Sequence, residues 1–155
     1  MKFIRRACLA PGLLQNRCRM DDSGQYHELT FYTLSLGDTE FIHQHVVDAY
    51  GAQNADDKTK PIALFFSLAG LYLLVERNYT GRQVQKAHQI MASKTKNFIQ
   101  LNLPEKRGQV SIKNVLDEPD GANRNRKIME WCGSVWSAYA DQHSKIIEAT
   151  DKLLF

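Results

Sequence analysis

The stretch from Ile62 to Val75 carries no charged residue and is apolar nearly all round. A helix without a polar face must be covered on every side by other helices, so this segment predicts the centre of a bundle. Pro61 suits its first turn, where a missing N–H leaves no intrahelical bond unmade, and the helix is expected to continue to about Asn78. The run is too short to cross a bilayer, which takes roughly 20 helical residues.

The flanking sequence supplies the covering helices. One is expected over Gln25–Leu36, closed near Gly37, and a second from an Asp38 N-cap to about Asn54. Thr80 and Gln83 read as a capping box opening a fourth helix that runs to about Lys96. Residues 97–110 are irregular, with Pro104 and Gly108, and a short helix follows at about 111–116. Ile128, Trp131, Cys132, Val135, Trp136, Tyr139, Ile146 and Ile147 recur at spacings of three and four, predicting one last helix. The expectation is an all-α, irregular antiparallel bundle of about five main helices over residues 25–155.

Residues 1–24 stand apart as a basic, poorly structured extension. Five of the 20 basic residues lie in the first twenty positions with no acid among them, so the remaining 15 face 17 acidic residues, a balance of about −2. The bundle therefore lacks the basic excess of a nucleic-acid-binding domain. The run from Ala7 to Leu14 is broken by Pro11-Gly12 and followed by Arg17 and Arg19, which argues against a signal peptide. Cys8, Cys18 and Cys132 form no C-x-x-C pair and read as reduced thiols of a cytoplasmic protein.

No phosphate-binding loop, dinucleotide fingerprint, H-E-x-x-H or G-x-S-x-G occurs. What remains is a set of polar residues on apolar helix faces. On the second helix, Ile42, Val46, Val47, Ala49 and Tyr50 form a stripe that also takes in His43 and Gln53. His45 and Asp48 share another face. Glu76 continues the line of Phe65, Ala69 and Tyr72; His88 lies among Val84, Ala87 and Met91; His143 lies beside Tyr139 and Ile146. Buried polar groups need partners, so these are expected to find one another. The plain alternative is that each histidine bonds a nearby carbonyl. The stripe of Trp131, Trp136 and Tyr139 reads as core, and Arg124-Asn125-Arg126-Lys127 as a solvated helix start.

His43-x-x-x-x-Asp48-x-Tyr50-x-x-Gln53, then Gly70-Leu71-Tyr72-Leu73-Leu74-Val75-Glu76-Arg77, then Trp131-x-x-x-Val135-Trp136-x-x-Tyr139 resemble, in order and spacing, a family of small bacterial proteins called domain of unknown function 5946. The resemblance covers about residues 26–145. It implies an all-α fold and points to His43, Asp48, Tyr50, Gln53 and Glu76, but carries no reaction. Many relatives begin with a zinc-knuckle-like segment whose C-x-x-C is missing here.

The leading expectation is a small-molecule site between helices, either enzymatic or purely binding. His43, Tyr50 and Glu76 would be its reactive groups, with Asp48, Gln53, Tyr72 and His88 contacting the ligand. His43 and Glu76 are expected to border one cavity beside Tyr72. The alternatives are an interaction module whose polar core fixes helix register, and a metalloprotein using His43 or His45 with Asp48, Glu76 or His88. No cofactor is indicated. A small molecule is the expected partner, neither nucleic acid nor membrane is, and self-association is left open.

Overall fold

The computed structural model describes residues 22–95 and 99–155, and among these every regular element is helical. Seven α-helices are present: α1 (Asp22–Ser35), α2 (His43–Gln53), α3 (Pro61–Arg77), α4 (Gly81–Lys94), α5 (Ile112–Asp117), α6 (Ala122–Ala138) and α7 (His143–Leu154). The basic extension expected over residues 1–24 lies outside the described residues up to position 21, and α1 already includes Asp22.

The apolar helix α3 sits at the centre, against α2, α4, α6 and α7. It starts on Pro61 after an extended Lys60. It stops where Asn78 turns left-handed at φ 56°, with the Tyr79 N–H on the Leu73 carbonyl at 2.9 Å. The Thr80–Gln83 capping box then opens α4, with both reciprocal bonds made. The main core joins α2, α3 and α6 through Val46, Ala49, Leu68, Leu71, Trp131 and Val135. A smaller cluster of Phe65, Ala69 and Met91 forms towards α7.

Two helices depart from the sequence expectation. The second begins at His43 rather than after Asp38, because Phe41 takes a left-handed φ of 59°. The Asp38 carboxylate accepts from the Ile42 N–H at 2.9 Å, and residues 38–42 wrap the start of α4. There the Glu40 carbonyl accepts from the Arg82 N–H at 3.0 Å, and the Phe41 carbonyl occupies the space a side chain at Gly81 would need.

The single last helix is two helices joined by a 3-10 turn at Ala140–Gln142. No Gly or Pro marks this break. It is held instead by long-range bonds: Tyr139 Oη donates to the Ala52 carbonyl at 2.7 Å, and Gln142 Oε1 accepts from the Asn102 N–H at 3.2 Å.

Candidate functional site

The structure disperses the residues expected to converge. His43 opens α2 and faces α1, with Nδ1 2.9 Å from Thr33 Oγ1. The single Thr33 hydroxyl proton has the Leu29 carbonyl within 3.0 Å. With that proton on the carbonyl, His43 Nδ1–H is the donor to Thr33. Tyr50 also faces α1, its ring stacked on Tyr26 at 4.1 Å. Glu76 lies exposed on another side of the bundle, where its Oε1 accepts from Trp136 Nε1 at 2.9 Å. His43 and Glu76 thus meet different partners, on α1 and α6, and Tyr72 bonds neither of them. Tyr72 Oη instead donates to Asp151 Oδ1 at 2.8 Å and accepts from Arg77 Nε at 2.9 Å.

Gln53 and His88 have structural partners. The Gln53 amide donates to the Arg107 and Val110 carbonyls at 3.1 and 2.9 Å and accepts from Trp131 Nε1 at 2.8 Å. It fastens the irregular 104–110 segment to the core. His88 Nε2 bonds the Phe66 carbonyl at 3.0 Å, and His143 Nε2 bonds the Trp136 carbonyl at 2.8 Å. Both follow the plain reading of a core histidine. Arg124, expected in a solvated helix start, is buried and donates to the Leu116 and Glu118 carbonyls.

The other face of α2 is the buried one. His45 and Asp48, one turn apart, are 2% and 3% exposed and point between α3 and α6. Among the described residues, His45 Nδ1 and Asp48 Oδ2 are both buried without a hydrogen-bond partner. Burial holds the imidazole neutral, its pKa lowered to about 4 against a smaller opposing pull from Asp38. Burial likewise raises the Asp48 carboxyl well above the usual range, against a smaller opposing pull from Gln44 Nε2, which donates to Oδ1 at 3.2 Å.

Asp48 fits because Gly70 on α3 has no side chain: a Cβ there would lie 2.0 Å from Oδ2. Nearby, Cys132 donates its S–H to the His45 carbonyl at 3.6 Å, and burial raises its pKa.

His45 is not sealed from the surface on all sides. It lines a cleft of about 470 Å³ with Glu40, Leu74, Val75, Asn78, Tyr79, Thr80, Met129 and Gly133. It also lines a neighbouring cleft of about 560 Å³ with Leu36, Asp38 and Arg126. Glu40, His45 and Met129 are common to both. Leu36, Val75 and Met129 are three of the bundle's exposed large apolar side chains, at 38%, 38% and 41%. Apolar and polar side chains, among them Asp38, Glu40 and Arg126, thus surround an imidazole whose Nδ1 has no hydrogen bond among the described residues.

The ligands considered for a metal do not converge. Among the described residues, no three His, Cys, Asp or Glu side chains group so as to hold a metal ion. No helix there is long and apolar enough to cross a membrane.

Fold and geometry together define an all-α bundle whose central helices bury a histidine under a surface cleft and, one turn further along the same helix, an aspartate. The chain belongs to the family of unknown function DUF5946, whose model matches residues 8–140. The match takes in α2, α3 and α6 and ends before α7. No curated protein and no solved structure matches the chain.

Proposed function

We propose that this protein binds a small, uncharged molecule with one hydrogen-bonding group, in the paired clefts over His45. The observation that carries the reading is His45 itself: almost wholly buried, its Nδ1 without a hydrogen bond among the described residues, and lining both clefts. A buried polar group left unmatched costs roughly 1–3 kcal/mol, so a ligand that satisfies it gains that amount as affinity. Leu36, Val75 and Met129 supply apolar contact around the polar point, the usual composition of a small-ligand site.

Recognition is favoured over catalysis by the imidazole's own chemistry. A general base works best with a pKa near working pH, and His45 at about 4 is a weak base at neutrality. It is well suited to accept or donate one hydrogen bond without charging.

The test is a titration with phenol, benzamide and cyclohexanol followed by amide chemical shifts. At least one probe should shift Tyr79, Gly133 and His45 together, and Met129→Trp, which fills the shared wall, should abolish the response. Probes that bind elsewhere, or binding that survives Met129→Trp, would refute the site.

A further inference from the structure

A second cleft lies at the opposite end of α3, between the end of α4 and the outer face of α7. It measures about 490 Å³ and shares no residue with the clefts over His45. Its floor is Phe65, 2% exposed and part of the smaller core cluster with Ala69 and Met91. Ile99, Ala149 and Leu153 pack on that cluster only partly buried and form the apolar walls. Among the described residues the cluster is thus only partly covered.

The rim is charged, and unequally so. Lys94, Lys145 and Lys152 stand around it with a single acid, Glu148. Glu148 is spaced three and four residues from Lys145 and Lys152 on α7, yet among the described residues none of the three is in an ion pair. Asp151, the next acid along the helix, is engaged by Arg77 and Tyr72. Lys94 donates one proton to the Leu153 carbonyl at 2.9 Å and keeps two for another acceptor. An apolar pit under a rim of three cations and one acid complements a molecule with an apolar tail and one negative end.

We propose that this cleft binds a medium-chain monocarboxylate, its tail on Phe65, Ile99, Ala149 and Leu153 and its carboxylate at Lys145 and Lys152. The volume falls within the roughly 300–1,000 Å³ of small-molecule sites, and each methylene of the tail removed from water strengthens binding. The cleft shares no lining residue with the clefts over His45, so the assignment stands independently of the His45 reading.

The experiment is a titration with decanoate, below its micelle-forming concentration, read by the amide shifts of Ile99, Ala149 and Leu153. Decanol serves as the uncharged control. Decanoate should bind at least tenfold more tightly than decanol. The exposed pair Lys145→Glu and Lys152→Glu should remove that preference while decanol affinity stays within twofold. Ala149→Trp should abolish both, with its melting curve checking that the bundle is intact.

Equal affinity for acid and alcohol, or a preference that survives charge reversal, would overturn the assignment. So would co-sedimentation with phosphatidylglycerol vesicles in the absence of monomer binding, which would mark the face as a lipid-surface contact.

Discussion

Gly70→Ala tests whether Asp48 is locked against α3. A Cβ at Gly70 would sit 2.0 Å from Asp48 Oδ2, 2.6 Å from Cγ and 3.2 Å from Oδ1. Its three nearest neighbours are thus atoms of one side chain, and that side chain is buried. Overpacking of this kind costs about 1–3 kcal/mol, and contact this close belongs at the upper end. Alanine regains about 1 kcal/mol of helix propensity over glycine, so the net loss should be about 2 kcal/mol. For a chain of this size that lowers Tm by roughly 4–8 °C.

The sign should reverse once the carboxyl is gone. In an Asp48→Ala background the clash is absent, and Gly70→Ala should stabilise by about 1 kcal/mol through propensity alone. The coupling between the two positions is then about 3 kcal/mol, at the top of the range for residues in contact. Urea unfolding of the four proteins, compared at constant slope, measures it. If Gly70→Ala costs the same in both backgrounds, the destabilisation comes from elsewhere and Asp48 does not rest on Gly70.

Three further outcomes are expected. His45 has a folded pKa lowered to about 4 from 6.5, so its contribution to stability is full above pH 6.5 and falls away as pH drops towards 4. Asp48, raised on folding, has the opposite slope: stability declines as pH climbs above 3.8 through the folded value. Urea midpoints between pH 4 and 6.5 should therefore fall with rising pH more in His45→Gln, and rise more steeply in Asp48→Asn, than in the unaltered protein; identical profiles would contradict the burial of both groups. Gln53→Ala should cost about 2–3 kcal/mol by orphaning Trp131 Nε1 and the Arg107 and Val110 carbonyls, and hydrogen exchange should quicken in residues 101–110; unchanged protection there would show that the segment is held by other contacts. Iodoacetamide at pH 8 should leave Cys132 unmodified in the native protein, as peptide mass mapping can show, because the thiol is buried and its pKa is raised; rapid native labelling would place it at the surface.

The fold was legible because its strongest signals are local. The Ile62–Val75 run can only be a central helix, and Thr80 with Gln83 can satisfy two backbone donors in only a few arrangements. The break after Tyr139 was not legible for the converse reason. Ala140, Asp141 and Gln142 tolerate a helix, and the bonds that interrupt it come from Ala52 and Asn102, far away in sequence. Arg124 shows the same limit: a basic helix start looks solvated until α5 and Tyr32 are seen to enclose it.

The site was half legible, and its failure lies in α2. Periodicity finds a helix's apolar stripe, and here the stripe through His43, Val46, Val47 and Tyr50 is real. It assumes, though, that a helix has one buried face. α2 lies between α1 on one side and α3 and α6 on the other. His43 and Tyr50 serve the contact with α1, where Thr33 and Tyr26 meet them. The deeper contact is made by the face carrying His45, Asp48, Ala49 and Ala52, all under 4% exposed. Two of those four residues are titratable, so the face reads as polar in sequence. A signal did exist: Gly70 interrupts the apolar run of the central helix, and a glycine there marks close approach of a neighbouring group. Pairing that gap with a carboxylate one helix earlier would have pointed to Asp48, and so to the face on which His45 also lies.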